Sequence, residues 1–573
     1  MSIKKFTFRQ LSCLLQKNGK YLAIPIVLLG LITGCAQESS TSKKTNVSPS
    51  QNNTTHVSDN VDVKSMTSDE NEQEPTSNAT LVDVANPNIW ADVPDMAIIR
   101  VDDTYYMSST TMHLNPGVPI MKSTDLKNWQ VINYAHTALD KTHDALNMVN
   151  DSFAYGKGTW ASSINYKDGT FYVTSFSYTT QKTYIWQTND IEGGSWTQTT
   201  LNNLYHDSSL LLDDDGRAYL AYGSDNIKLI ELNADLSDIK AGGVNTSIIK
   251  SASAPAGENF ILKAEGTQIQ KINGWYYISN ICWPSEGGRT QIIHRSRSII
   301  GPYEGQVALQ DKGIAQGEFI NTPEGDWYLY AFRDSGGVGR IPYLVPVTWQ
   351  NDWPVVGVDG KVPQTLNLKA QDNGLTGLIR SDDFSHDSLD IVWQWNHNPD
   401  DTGWSLLERP GFMRITNTRI DTNIHNTLNT LSQRMFGPTS SAKVAMDVSG
   451  MKDGDTAGFA AFQNQYGFVG VKQSGNQRSI IMVNNNTKDH QVVETLPLTQ
   501  DTIYLQVNGD FTSLPGKATF AYSLDGAEWQ PIGNTVTTVY ELSHFMGYRF
   551  ALFNYGTKSV GGYVDFNYFH IAE

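Results

Sequence analysis

His206-Asp207-Ser208-Ser209 and, four residues on, Asp213-Asp214-Asp215-Gly216-Arg217-Ala218-Tyr219 form the stretch whose reading decides the fold. Asp215-Gly216 supplies the positive φ angles of a tight hairpin, and Ala218-Tyr219 opens a β-strand. The same signal recurs in Asp102-Asp103-Thr104-Tyr105-Tyr106, Asp168-Gly169-Thr170-Phe171-Tyr172, Asn273-Gly274-Trp275-Tyr276-Tyr277 and Glu324-Gly325-Asp326-Trp327-Tyr328. Taken at Asp103, Gly169, Gly216, Gly274 and Gly325, the intervals are 66, 47, 58 and 51 residues. They suit a propeller blade of four strands with one variable loop. Thr124-Asp125-Leu126-Lys127-Asn128-Trp129 and Thr188-Asn189-Asp190-Ile191 through Trp196 add a second echo at similar distances from their turns. Five turns predict five blades, and the scarcity of helical periodicity leaves little room for an α/β chain.

In such a fold the strand before each first hairpin lines the central channel. Counting nine residues back from the four glycines gives Trp160, Asp207, Glu265 and Gln316, and for the first repeat the nearest carboxylate is Asp95, eight before Asp103. Each acid alone could simply cap turn amides. Three acids at near-equivalent places in different blades would instead meet in a confined space, where like charges push at least one pKa upward. Separated pKa values are what a general acid and a general base need.

Asn86-Pro87 with Val93-Pro94-Asp95, His206-Asp207-Ser208-Ser209 before Asp213-Asp214-Asp215-Gly216, and Lys263-Ala264-Glu265-Gly266 ahead of Gly274-Trp275-Tyr276-Tyr277 resemble glycoside hydrolase family 43. The resemblance runs from about Asn86 to Pro363 and continues beyond it. It implies a five-bladed β-propeller that hydrolyses β-D-xylosides or α-L-arabinofuranosides with inversion. It also implies Asp95 as general base, Glu265 as general acid and Asp207 as the residue that orients the acid and raises its pKa. Trp160 is similar to the family's sugar-stacking aromatic, and Arg340, in Gly336-Gly337-Val338-Gly339-Arg340-Ile341-Pro342, to the arginine that reaches sugar hydroxyls. Gln316 joins the substrate-binding set through the repeat alignment alone. Met96, Ser208 and Thr267 stand where the family commonly has Pro, which bears on loop rigidity and substrate preference more than on the acids. His206 is expected to face away from the channel, because neighbouring strand residues alternate. No metal site is read from the sequence, Asp213-Asp214-Asp215 being taken as a turn; no cofactor is implied as required, and the family leaves room for a structural calcium ion.

Past Pro363 the turn signature stops, and Gln371 to Thr376 reads as a connector. From Ser381 period-two alternation is clear, as in Ile503/Leu505/Val507 and in Val564/Phe566/Tyr568 set against Asp565/Asn567. With Asp382-Asp383-Phe384 and Asp565-Phe566-Asn567-Tyr568-Phe569, this resembles the concanavalin A-like β-sandwich of family 43 xylosidases, in which a sandwich loop closes over the active-site pocket. An independent carbohydrate-binding module is the alternative. The chain is thus expected to be all-β, with a propeller over 81–370 and an antiparallel sandwich over 380–573.

At the other end, Lys4 to Lys20 precede the apolar run Tyr21 to Ile32, which is short of the roughly 20 residues of a spanning helix. Ile32-Thr33-Gly34-Cys35 resembles a bacterial lipobox, so residues 1–35 read as a lipoprotein signal with Cys35 lipidated. Residues 36–80 read as a polar tether unable to bury enough surface to fold. Without Cys13 and with Cys35 lipidated, only Cys282 remains, and no internal disulfide can form. The leader holds five bases and no acid, so its removal takes the net charge from −17 to −22. That balance disfavours nucleic acid and anionic membrane surfaces as partners, leaving membrane contact through a lipid anchor alone. The expected partner is a pentose-containing oligosaccharide and the expected location the cell surface; nothing in the sequence specifies an association state. An arabinan- or galactan-cleaving enzyme of the same fold and a non-catalytic glycan-binding lipoprotein are the competing functions.

Overall fold

A computed structural model describes residues 80–370 and 377–571. The leader, Cys35, the polar segment up to residue 79 and the connector 371–376 read from the sequence lie outside these residues, and Thr80, expected in the polar segment, begins a strand. Each of the five sequence turns closes the first hairpin of a four-stranded antiparallel sheet. Blade I is built from Ala97–Val101, Thr104–Ser108, Gly117–Ser123 and Gln130–His136, and blade II from Thr159–Lys167, Thr170–Ser177, Lys182–Thr188 and Thr197–Leu201. Blade III holds Ser209–Leu212, Ala218–Tyr222, Ile227–Leu232 and Asn245–Ile249. Blade IV holds Phe260–Ile272, Trp275–Pro284, Thr290–Ser296 and Glu304–Leu309, and blade V Ala315–Asn321, Trp327–Asp334, Arg340–Gln350 and Trp353–Val356.

Hydrogen bonds between inner strands tie successive blades together. Ser163 Oγ accepts from Leu210 N (3.1 Å), Ser209 Oγ from Ile269 N (3.1 Å) and Gln270 Oε1 from Phe319 N (3.0 Å). Glu318 Oε2 accepts from Ile98 N at 2.8 Å and so closes the ring from blade V to blade I. Burial pushes the Glu318 carboxyl up to about 8, which keeps it uncharged at neutral pH. Blades I and II are joined by the Ser108 and Ser162 hydroxyls, 2.8 Å apart. Thr80–Ala85 pairs antiparallel with Thr365–Ala370, bringing the two ends of the propeller segment together.

The second half is a sandwich of two antiparallel sheets. One runs in the order Gln491–Leu498, Gln477–Asn484, Gly467–Ser474, Asp455–Phe462, Arg549–Gly556, Leu431–Arg434, Gln394–Asn396. The other is centred on Tyr563–Ile571, Thr439–Asp447 and Thr502–Asp510. Ile503, Leu505 and Val507 point into the core, as their alternation requires. The last strand departs from the expected pattern: a register shift opposite Ala445/Met446 turns Phe569 into the core, while Tyr568 lies outside, stacked on His570 at 4.1 Å. Asp565 is buried too, because Arg409 and Arg414 neutralise it.

The first sheet does not end within the sandwich. Leu114–Asn115, from a blade I loop, adds to it as an edge strand, pairing Asn115 with Trp395 and Leu114 with Asn396. Gln394 Nε2 donates to Pro116 O (2.7 Å), Asn115 Nδ2 to Asn398 Oδ1 (2.9 Å) and Ala154 N to His397 Nε2 (2.9 Å). A single apolar cluster runs from Ile272, Phe319 and Val345 of blades IV and V to Phe459, Phe550 and Phe569 of the sandwich. Such continuity is that of one core rather than of a freely attached module. A fragment starting at Ser381 would expose this seam and leave its buried amides and imidazoles without partners. It is expected to be insoluble or to elute as an aggregate in size-exclusion chromatography, whereas a chain from residue 80 onward stays soluble; a soluble, monomeric fragment would contradict this.

Candidate active site

All five positions picked by counting back from the turns lie where the inner strands are irregular. Asp95 and Asp207 precede their strands with left-handed backbone, φ 50° and 47°. Trp160 sits in a register shift between Thr159 and Ser162, Glu265 has a shift on either side, and Gln316 (φ 59°) lies in one between Ala315 and Gly317. A bulge re-aims a side chain that regular pleating would direct elsewhere, and strained backbone of this kind gathers at functional sites. Gly266 (φ 66°) follows Glu265 for two reasons: its backbone is left-handed, and a Cβ there would stand 2.6 Å from Gln316 Cδ.

Asp95 is buried, and Arg340 Nη1 donates to both of its oxygens at 2.7 Å. Burial raises the Asp95 pKa to about 6; Arg340 pulls against that rise and Asp207 adds to it. Asp207 is buried as well and accepts from Gly266 N at 2.7 Å. Its pKa is also raised, first by burial, with His206 opposing and Glu265 reinforcing the shift. Glu265 is half-buried and faces His206, whose Nε2 lies 3.2 Å from Glu265 Oε2 and 3.4 Å from Asp207 Oδ2. The three acids therefore share one electrostatic environment, although they come from blades I, III and IV.

This position of His206 corrects the sequence expectation. His206 and Asp207 form a turn ahead of Ser209–Leu212, so the alternation of strand residues does not apply to them. Burial opposes charge on the imidazole, but Asp207, Glu265 and Asp95 outweigh it and lift the pKa to about 9. As an imidazolium it donates from Nε2 to the carboxylates and from Nδ1 to Tyr178 Oη, 3.0 Å away. The His206, Asp207 and Glu265 ligand-type atoms lie within 4.8 Å of one another. The Nε2 that faces the two carboxylates is also the ring atom a metal ion would take, so the three groups can serve as a hydrogen-bonded acid–base cluster or as a ligand set.

Half-buried Trp160 meets Tyr178 edge-on at 4.7 Å and Phe545 at 5.3 Å. Phe545 is supplied by the sandwich and also lies over the Arg340 guanidinium at 4.4 Å. Asp92 fastens that loop: one carboxylate oxygen accepts from Arg340 N (2.7 Å), the other from Gly547 N (2.8 Å). Arg289, ion-paired to Asp334 at 2.6 Å, adds positive charge that acts on Asp95. Sequence reasoning missed His206, Tyr178, Asp92, Arg289 and Phe545. His206 was signalled by its adjacency to Asp207, and Asp92 by lying three residues before Asp95; Tyr178, Arg289 and Phe545 carry no local signal.

Residues 84–354 match the family model "Glycosyl hydrolases family 43", and residues 381–572 match "Beta xylosidase C-terminal Concanavalin A-like domain". Fold and matches together define a glycoside hydrolase: the chain belongs to family 43 and carries that family's C-terminal concanavalin A-like domain. It is 28% identical to a beta-xylosidase of Formosa agariphila over 84% of this chain and 89% of the relative. A non-reducing end alpha-L-arabinofuranosidase of Bacteroides ovatus is 28% identical over 79% of this chain and 87% of its own length. The structure of a bifunctional GH43-CE protein of Bacteroides eggerthii superposes with a TM-score of 0.84 and 49% identity, over 86% of this chain and 64% of that one. The chain thus spans slightly under two thirds of that bifunctional protein.

Phe545→Ala would remove the ring that meets both Trp160 and Arg340. KM for an aryl glycoside is expected to rise about tenfold, in line with the ~1.4 kcal/mol of a lost aromatic contact, with a smaller effect on kcat. An unchanged KM would take Phe545 out of the pocket wall.

Proposed function

We propose that the protein is an exo-acting glycosidase that removes terminal β-D-xylosyl or α-L-arabinofuranosyl units from xylan- or arabinoxylan-derived oligosaccharides. The observation that carries this reading is the convergence of Asp95, Asp207 and Glu265, from three blades, beneath an aromatic wall partly supplied by the sandwich. The names of the Formosa agariphila and Bacteroides ovatus relatives support the pentose preference. The Phe545 loop favours a chain end over a chain middle.

Family 43 enzymes invert, so one carboxylate activates water while another protonates the departing oxygen. Buried Asp95 takes the role of base: once ionised, it is aimed by Arg340, and its raised pKa gives it a stronger hold on the proton it removes from water. Glu265, the more exposed of the pair, takes the role of acid. His206 Nε2 holds Glu265 by a hydrogen bond, and Asp207 fixes both partners through the Gly266 amide and the imidazole. Trp160 offers a flat apolar face to the sugar, while Arg340 and Gln316 bound the same space.

Asp95→Ala and Glu265→Ala should each lower kcat on p-nitrophenyl β-xyloside or α-arabinofuranoside by about 10²–10⁴-fold. A wild-type chain inert on both glycosides would overturn the substrate reading.

The pH profile of kcat/KM follows from the same groups. The base must be ionised, so activity should fall as pH drops through about 6, and the His206 imidazolium loses its proton as pH rises through about 9. Arg340 holds the Asp95 pKa down, so Arg340→Met should move the acid limb to higher pH. His206→Gln should remove the alkaline limb near pH 9. Limbs that stay in place in both variants would dissociate these residues from the titration.

We further propose that Cys35 carries a lipid that anchors the enzyme at the cell surface, on the strength of Ile32-Thr33-Gly34-Cys35 after an apolar run and before a polar segment. Cys35→Ala should then release active enzyme without detergent, and a variant still retained in the membrane fraction would exclude the anchor.

A further inference from the structure

Two arginines face each other inside the sandwich near its seam with the propeller. Leu431–Arg434 pairs antiparallel with Arg549–Gly556, and the register sets Arg434 opposite Arg549. Directly opposed residues project from the same face of a sheet with Cβ atoms about 5 Å apart. Each arginine is only 1% exposed. Arg434 spends its Nε on the Asp92 carbonyl (3.0 Å), and Arg549 spends Nη1 on Gln394 Oε1 (3.0 Å). Arg434 Nη1 and Nη2 and Arg549 Nε and Nη2 are buried with no acceptor among the described residues.

The charge balance is as one-sided as the hydrogen bonding. Asp92 is the acid whose field reaches both guanidinium groups, yet its two oxygens are engaged by the Arg340 and Gly547 amides. The neighbours on the seam add further donors. His113 has two buried ring nitrogens without a partner and His544 has one, Nδ1, and the field of Arg549 is felt at both rings. Burial keeps these imidazoles neutral, so each carries one N–H. Burial likewise lowers the pKa of both arginines, with Arg434 adding to the effect on Arg549. Two like charges side by side in a low-dielectric interior are strongly unfavourable unless a counter-charge lies between them. Four unused guanidinium nitrogens from two strands of the same sheet are the groups that would hold one.

We propose that Arg434 and Arg549 bind a small monovalent inorganic anion, of the size of chloride, as a structural element of the seam between propeller and sandwich. The geometry favours a halide over a larger oxyanion: the arginines are fully enclosed, and their nearest neighbours are side chains of the sheet and of the Tyr134, His113 and Gln394 region. Asp92 links this place to the active site, because its carbonyl binds Arg434 while its carboxylate binds Arg340 and Gly547.

The test uses the full chain and does not depend on its substrate. In gluconate buffer at constant ionic strength, titration with chloride or bromide should give a saturable rise in Tm of about 2–5 °C. Crystals soaked in bromide should show an anomalous peak bridging the two guanidinium groups. Arg549→Met and Arg434→Met should lose the halide dependence. A Tm indifferent to halide would overturn the proposal. So would a crystal in which only water meets the four nitrogens. Both wild-type measurements decide the matter even where a variant fails to fold.

Discussion

The buried pair between Arg340 and Asp95 is the interaction on which the rest of the site depends. Taking a guanidinium and a carboxylate out of water is costly, and their attraction offsets that cost only when the geometry is good and the remaining donors and acceptors are occupied. Here Arg340 Nη1 meets both Asp95 oxygens, the Arg340 backbone N–H goes to Asp92, and its carbonyl accepts from Val93 N. The four residues Asp92 to Asp95 are thereby clamped to blade V on one side and, through Gly547, to the sandwich on the other. The same pair sets the chemistry. Burial alone would push the Asp95 carboxyl further up, and Arg340 returns it to a range in which ionisation near neutral pH is easy.

A second constraint comes from the propeller itself. Strands that line a narrow channel cannot all present side chains to its mouth while keeping regular pleating, and bulged or left-handed residues resolve the conflict. The irregularity falls eight or nine residues before the first hairpin turn in each blade. Counting back from the turns therefore found Trp160, Asp207, Glu265, Gln316 and Asp95 without any knowledge of the strands. The fold was legible for a similar reason: Asp-Gly and Asn-Gly turns act locally, and a local signal repeated five times needs no long-range information. The same irregularity explains the misplacement of His206. Alternation is a property of paired strands, and Asp207, at φ 47°, belongs to a turn. Tyr568 went astray in the same way, through a bulge that sequence periodicity does not register.

What the sequence did not disclose is long-range. Phe545 lies 385 positions from Trp160 and 205 from Arg340 in numbering, and its neighbours offer no motif. Leu114–Asn115 is a two-residue strand, too short to carry a period, yet it extends the sandwich sheet. Asp92 is legible as an acid near Asp95, but its function as a double acceptor exists only once blade V and the sandwich are in place.

These long-range contacts bear on why the two domains behave as one. An apolar interface alone would let the sandwich dock in several registers, since apolar contact is non-directional. The seam is instead threaded with groups that demand partners: Asn115 to Asn398, Gln394 to Pro116, the Ala154 amide to His397, Arg434 to Asp92. A buried polar group left unmatched costs about 1–3 kcal/mol, so a one-residue slip would forfeit several such contacts together. Polar threading therefore selects a single docked arrangement, while the continuous apolar cluster supplies the bulk of the adhesion. Because Phe545 is held by the strands that make this seam, the precision of the docking passes directly to the pocket wall, and the sandwich becomes part of the active site instead of an accessory to it.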